Sequence, residues 1–338
     1  MPFFGMFSND IAIDLGTANT LIYMKGKGIV LNEPSIVTYD VSSRKIVAIG
    51  EEAKVMMGRV HKELNTIRPM RDGVIADFEI AEGMIRMFIK KISSNWMPAR
   101  RIVVCVPSGI TEVEKRAVRD TAEHAGAKEV HLISEPMAAA IGIGLDVFAP
   151  FGNMLIDVGG GTTEIAVIAL SGITNGVSIR IAGDELTDAI IRFFRSNQNM
   201  LIGERTAEEI KCQVGSVMPL KEEVIIEVKG RDLVAGIPKI TEVSSIEIRE
   251  ALNPPVAQMV EAVKVALEKT APELSSDILE RGIFLTGGGA LIKGLDERIR
   301  VETGVPVHIA EDSLTAVAKG TGKVLEDLDK YRKVMLKR

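Results

Sequence analysis

The chain has 338 residues, 46% hydrophobic and 26% charged, with 41 Lys and Arg against 46 Asp and Glu for a formal net charge of −5. That length exceeds what one hydrophobic core usually organises, so two domains or two similar halves are expected, and the apolar content excludes disorder over most of the chain. Acidic and basic residues interleave, which speaks against nucleic acid as a partner.

Residues 1–7, MPFFGMF, place Phe3, Phe4, Met6 and Phe7 ahead of the first strand with no polar face. Such a segment either docks on its own domain or dips into a membrane surface. It also lacks the basic start and cleavage site of a signal peptide, and no apolar run is long enough to cross a bilayer, so a cytoplasmic protein is expected. Residues 13–22 read IDLGTANTLI: an apolar run ending near Asp14, a turn of Gly and small hydroxyl residues, then a returning β-like pattern. A turn this poor in bulky side chains lets backbone N–H groups approach an anion closely.

A strand at 28–31, a turn at 32–34, β-like runs at 36–39 and 46–49 and a helix at 51–57 follow. Residues 33–71 look like a small insertion, and IRPMRDGVIADF is loop-like, punctuated by Pro69 and Gly73. The apolar spacing at 79–92 predicts a core-facing helix. The loop SSNWMPAR then carries Trp96 beside Met97, either folded back on its own domain or serving as a membrane or partner anchor. A strand at 102–106 leads to a helix at 111–125 opened by a Thr111/Glu114 capping box. After a strand at 129–133, Glu135-Pro136 opens a helix at 137–143. Glu135 thus stands at a strand-to-helix junction, where open α/β sheets meet their ligands.

Residues 156–165, IDVGGGTTEI, echo the first hairpin with Asp, Gly, Thr and Ile at the same internal spacing. Strands at 165–170 and 177–181 and a helix from Gly183 to about Phe194 come next. A second insertion-like region, 182–241, holds a helix at 206–214 and a strand at 223–228. A helix near 246–252, the pair Pro254-Pro255, a separate long helix at 256–269 and a strand at 282–285 lead into a third Gly-rich turn, TGGGALIKGL at 286–295. Helices around Asp296 and at 316–330 end the chain. Cys105 and Cys212 are too few and too unlike in context for a disulfide framework, which suits a reducing cytosol. His61, His124, His131 and His308 show no ligand-like spacing, so no transition-metal site is expected.

Two matching hairpins facing each other would grip one polyphosphate from both sides. Thr17, Ala18 and Asn19 on one wall, and Gly160, Gly161 and Thr162 on the other, would cradle the phosphates, with Thr20 and Thr163 adding hydroxyls. Asp14 and Asp157 would then share a cleft with phosphate, which calls for a cation; Mg²⁺ takes oxygen ligands and reaches carboxylates largely through water. Hydrolysis needs a group that orients or deprotonates water in line with the γ-phosphate, a role that falls to Glu135 with Thr162 assisting. Nothing offers a phosphoryl acceptor other than water, so slow hydrolysis is expected and transfer to a metabolite is not.

These residues resemble the ATPase superfamily of actin, heat-shock chaperones and sugar kinases. More closely, IDLGTANT, GIVLNEPS, IRPMRDGVIADF, EPMAAAIG, IDVGGGTTE, GERTAEEIK and GIFLTGGGALIKGLD resemble the MreB-type bacterial actins, over almost the whole chain. The resemblance implies an actin-like α/β fold of two duplicated halves around a nucleotide cleft, each half with a smaller inserted subdomain. Subdomain IA would comprise 1–32, 72–143 and 315–338, IB 33–71, IIA 144–181 and 242–314, and IIB 182–241. It implies ATP or ADP with Mg²⁺, Glu208, Glu209, Ile210 and Lys211 at the nucleoside, and Gly288, Gly289, Ala290 and Leu291 on the adenosine side. It further implies homopolymeric paired filaments on the inner face of the cytoplasmic membrane, working with cell-elongation and cell-wall synthesis membrane proteins to organise peptidoglycan synthesis and maintain rod shape. Some members begin with a basic amphipathic helix, from which the uncharged MPFFGMF departs. A metabolite kinase would need an extra domain to build its substrate pocket, and a chaperone-type ATPase would need a peptide-binding domain.

Overall fold

In the first half, β1 (Ile11–Leu15) folds back antiparallel into β2 (Asn19–Met24), which pairs with β3 (Gly28–Pro34). The chain then builds a small three-stranded sheet from β4 (Val37–Asp40), β5 (Ile46–Ile49) and, after α1 (Gly50–Met56), β6 (Leu64–Ile67). A two-residue-strand hairpin, β7 (Met70–Arg71) and β8 (Val74–Ile75), leads to α2 (Phe78–Ile92). The main sheet resumes with β9 (Arg101–Val106), followed by α3 (Glu112–His124), β10 (Glu129–Ser134) and α4 (Glu135–Gly142). Its order is β10-β9-β1-β2-β3. This computed structural model describes residues 10–92 and 101–337; Phe3, Phe4, Phe7, Trp96 and Met97 lie outside the described residues.

The second half repeats this plan with β11 (Asn153–Val158), β12 (Thr163–Ala169), β13 (Gly172–Ile179), α5 (Gly183–Asn197), β14 (Met200–Leu201), α6 (Glu204–Val214), β15 (Ile225–Asp232) and β16 (Pro238–Ser244). It continues with α7 (Ser245–Glu268), α8 (Pro272–Arg281), β17 (Ile283–Thr286), α9 (Leu295–Thr303), β18 (Val307–Ile309) and α10 (Ala316–Glu326). The order β13-β12-β11-β17-β18 matches the first sheet strand for strand, two antiparallel pairs followed by two parallel ones. The insertion β14-β15-β16 leaves the chain at the same point as the first insertion, after the third core strand.

Strand alternation dictates the layering. Ile11 and Ile13 of β1, with Ile102 and Val104 of β9, bury against Ile80, Met84 and Phe88 of α2. Their neighbours Ala12, Val103 and Cys105 face the other way, into a cluster shared with Met137 and Ala138 of α4, Val324 of α10, and Leu155 and Ala166 of the second sheet. Met154, Ile156 and Val167 turn to the far side, where α5 and α7 cover them. Helices α4 and α10 are therefore the shared layer between two sheets buried on both faces, which is why β9 reads as an unbroken apolar run from Ile102 to Val106 and β11 is interrupted only by Asp157 between Met154 and Val158.

Several elements differ from expectation. Residues 32–34 continue β3, with Asn32 opposite Leu21 and Pro34 opposite Asn19, because β2 extends the ladder to its end. The loop-like stretch at 70–75 is a hairpin: Asp72 (φ 50) and Gly73 (φ 75) make the left-handed pair of a two-residue turn, the Asp-Gly signal of a tight hairpin. β6, β14 and β16 were not anticipated, being short or carrying charged residues on an exposed face. The helices predicted either side of Pro254-Pro255 are one helix, α7, with both prolines inside. Each proline forfeits one i to i−4 bond, but Ile248, Leu252, Val256, Met259 and Val260 all bury in one cluster, and that shared packing outweighs the two lost bonds.

Candidate functional site

The tips of the two core hairpins converge. A Cβ built on Gly160 would stand 2.9 Å from that of Ala18, and one on Gly161 would stand 2.6 Å from Thr17 Oγ1, so neither position accepts a side chain. The Thr17 hydroxyl accepts a hydrogen bond from the Gly73 N–H at 3.1 Å. Gly73 is itself wedged, because a Cβ there would meet Pro107 Cγ at 2.7 Å and the Thr162 methyl at 3.0 Å. Thus the first hairpin, the Asp72-Gly73 turn, the loop after β9 and the second hairpin meet at one place.

The third turn joins them from below. Thr286, at the end of β17, donates to Asp157 Oδ1 at 2.7 Å, and Cβ atoms on Gly287 or Gly289 would fall 2.3 Å from atoms of Val158. Ala290 is buried and Leu291 is 54% exposed. The first turn of α5 closes the far side: the Gly183 and Asp184 N–H groups donate to Gly159 O (3.1 Å) and Gly160 O (2.7 Å). Lys211 reaches across from α6 to Gly183 O (2.9 Å), Thr187 Oγ1 (3.1 Å) and Glu208 (2.6 Å). Of the four α6 residues expected at a nucleoside, Glu208 and Lys211 lie here. Glu209 instead pairs with Arg205 on the exposed face at 3.0 Å, and Ile210, 3% exposed, points into the core. Helical geometry puts 208 and 211 on one face and 209 on another. Above the cleft, Arg68 of the first insertion grips Glu204 of the second at 2.7 Å.

Two expected hydroxyls are spent elsewhere. Thr20 bonds Ser35 Oγ (2.9 Å) and Thr163 donates to Ile181 O (2.7 Å), both buried, because each stands within the first two residues of the returning strand and bonds inside the fold. Asn19 is exposed, its amide donating to Asn32 Oδ1 at 2.9 Å.

Four acids crowd the same region. Burial pushes Asp14 up to about 6, partly offset by the Cys105 thiol, which donates to its Oδ1 at 3.2 Å. Burial raises Asp157 to about 7, with the charges of Asp14 and Glu164 adding to it and the Thr286 hydroxyl opposing. Glu135, at the start of α4, is held well above the carboxylate range by burial and then by Glu164, Asp14 and Asp157. Burial is the main cause in each case, and the charges that add to it at Glu135 and Asp157 come from the other acids of the group. Glu164 was missed by the sequence reading, although a lone Glu inside the apolar strand TEIAVIA was the available signal.

The consequence for stability has a definite sign. Asp14 and Asp157 bind protons more tightly folded than unfolded, so their penalty is absent below the ordinary carboxylate value of 3.8 and complete above about 6 to 7. The melting temperature of the nucleotide-free protein is expected to fall as pH rises from about 4 to about 7 and to level off above that, and Asp157→Asn to flatten that slope. Calorimetry across the range checks it; equal slopes for both proteins would exclude a raised proton affinity at Asp157.

Among the described residues, no three His, Cys, Asp or Glu side chains stand close enough to hold an ion by themselves. Two carboxylates beside facing Gly-rich turns fit a hard cation that keeps most of its waters better than a dedicated all-protein cage.

The MreB/Mbl protein family model matches residues 8–333. The chain is 54% identical over 335 residues to the cell shape-determining protein MreB of Escherichia coli K12, covering 97% of this chain and 96% of the relative. It is 49% identical over 329 residues to the cell shape-determining protein Mbl of Bacillus subtilis 168, covering 97% and 99%. Among solved structures, MreB5 of Spiroplasma citri bound to ADP superposes with a TM-score of 0.90 at 37% identity, over 96% of each chain. The MamK double helical filament, at 21% identity and a TM-score of 0.79 over 94% of this chain and 99% of its own, shares the fold. The duplicated sheets, the facing hairpins and these likenesses agree: the fold is actin-like, and the chain belongs to the MreB/Mbl family.

Proposed function

We propose that this chain is a bacterial actin that binds ATP, polymerises into membrane-associated filaments and maintains rod shape by organising peptidoglycan synthesis, with slow ATP hydrolysis linked to assembly. One observation carries the reading: the two hairpin tips come so close that a Cβ on Gly160 would overlap Ala18, and Asp14 and Asp157 are the penultimate residues of the strands that lead into them. The Spiroplasma citri MreB5 structures hold ADP in one case and AMPPNP in the other, which supports a nucleotide in the corresponding cleft here. The Escherichia coli and Bacillus subtilis relatives are named for cell shape, which supports that role.

In this reading the backbone of Thr17, Ala18 and Asn19, and of Gly160, Gly161 and Thr162, holds the phosphates. Glu208 and Lys211 border the nucleoside, and Gly288, Gly289, Ala290 and Leu291 line the adenosine side. Asp14 and Asp157 hold Mg²⁺ largely through water; when bound, it supplies charge neutralisation at the phosphates. Glu135 and Thr162, one from each half, orient the attacking water. The four subdomains take the boundaries set out above, with Arg68–Glu204 joining IB to IIB. No helix among the described residues is long and apolar enough to cross a membrane. We assign attachment to the inner face of the cytoplasmic membrane to Phe3, Phe4, Phe7, Trp96 and Met97, through apolar burial.

Purified protein with Mg²⁺ and ATP is expected to pellet and to form paired filaments on a lipid monolayer by electron microscopy. Protein that stays monomeric with and without lipid would overturn the filament reading. Deleting residues 1–7 and replacing Trp96 and Met97 by Ser is expected to abolish liposome co-sedimentation; unchanged binding removes the membrane assignment.

A further inference from the structure

Glu164 has no place in the phosphate cradle, yet it is the most deeply buried acid of the site, 0% exposed at the second position of an otherwise apolar strand. It stands opposite Asp157 on β11 and opposite Ser178 on β13, and directly opposed residues share a face. Its donors are neutral and come from both halves of the molecule. The Ser108 N–H donates to Oε2 at 3.0 Å and the Ser108 hydroxyl to the same oxygen, while the Ser178 hydroxyl donates to Oε1 at 2.5 Å. Ser108 belongs to the first half, in the loop between β9 and α3; Ser178 belongs to the second.

That loop is a wedge between the halves. A Cβ on Gly109 would lie 3.2 Å from Ser178 Cβ, so the loop rests on β13, and Pro107 is one wall of the slot that holds Gly73 against the Thr162 methyl. A buried carboxylate is tolerated only when its hydrogen bonds are made. Parting the halves takes Ser108 away and leaves Glu164 with the Ser178 hydroxyl.

We propose that Glu164 is a positioning residue, a clasp that through Ser108 holds the first half against the second and so fixes the spacing of Glu135 and Thr162. The proposal rests on the ATPase reading above and deepens it, because those two groups come from opposite sides of the cleft. Glu164 touches neither nucleotide nor water in this role; it sets how far the cleft opens.

The test uses the full chain with Mg²⁺ and ATP. Glu164→Leu removes both acceptor oxygens at similar volume, and Ser108→Ala removes the hydroxyl from the other side. Each is expected to lower the hydrolysis rate at saturating ATP about tenfold with ATP affinity changed less than about threefold, and the double variant to lose no more than the worse single one. Ser108→Thr, which keeps the hydroxyl, is expected to retain the rate. Spin labels at Glu63→Cys and Val234→Cys in a Cys212→Ser background report the spacing of the two insertions, expected to lengthen and broaden in Glu164→Leu and in Ser108→Ala. Wild-type rates and spacing in these variants would overturn the clasp, as would a loss of affinity and folded signal in step with rate. If the wild-type chain neither binds nor hydrolyses ATP, the functional reading fails instead, while the spin-label spacing still decides whether Glu164 joins the halves.

Discussion

Replacing Glu135 by Ala is expected to slow ATP hydrolysis by about 10²- to 10³-fold while nucleotide affinity stays within about threefold. The carboxyl sits at the first residue of α4, and its proton affinity is raised first by burial and then by three other acids of the pocket. A group so placed senses whatever charge enters between the hairpins, and no main-chain element depends on it for a cap: Ser134 is the N-cap of α4 and makes no side-chain capping bond. Glu135→Gln separates two roles, since the amide oxygen still orients water but accepts no proton. A Gln rate close to wild type would make orientation sufficient. Single-turnover phosphate release beside a titration with a fluorescent nucleotide provides the comparison. Equal losses of rate and affinity in Glu135→Ala would return the residue to a plain helix-dipole role at the N-terminus.

Features with a short-range cause were readable before the fold was known. The Thr111/Glu114 capping box forms as its spacing requires, and the IDLGTANT and IDVGGGTT turns come out as hairpins because Gly and small residues between apolar runs leave few other options. The echo between them gave the duplication, although its full extent, strand order and insertion point alike, shows only when the sheets are assembled. What stayed hidden depends on partners far along the chain. Helix α7 continues through two prolines because residues on both sides bury in one cluster, and no window of sequence contains that cluster. Thr20 and Thr163 looked available to a ligand, yet strand alternation turns them toward Ser35 and Ile181. Glu209 and Ile210 were carried along with Glu208 and Lys211 as one run, though a helix splits such a run among its faces. The Thr286 bond to Asp157 and the Ser108 bond to Glu164 join residues more than a domain element apart, and neither pairing leaves a local mark.

Gly320→Ala is expected to destabilise the protein by about 3 kcal/mol or more and to lower its melting temperature by at least about 5 °C. The sign runs against helix propensity, which by itself favours Ala over Gly inside α10 by about 1 kcal/mol. Packing decides it. A Cβ at Gly320 would lie 1.7 Å from Ala138 O and 2.6 Å from its carbonyl carbon, and the reciprocal Cβ at Gly142 would lie 1.9 Å from Ala316 O. These are main-chain atoms of α4 and α10, so no rotamer change relieves the overlap; the helices must separate. Both sheets pack on that shared layer, and α4 carries Glu135 at its first turn, so a shift at the crossing is transmitted to the pocket as well as to the core. Gly203→Ala, at φ −83 with nothing within 4 Å of the new methyl, is the control and is expected to cost no more than about 1 kcal/mol, the loss of a favoured N-cap glycine on α6. Thermal unfolding followed by circular dichroism makes the comparison. A Gly320→Ala protein that melts with the wild type would mean that the central layer opens by more than an ångström at no cost, and the rigid juxtaposition of Glu135 with the two hairpins would have to be given up along with it.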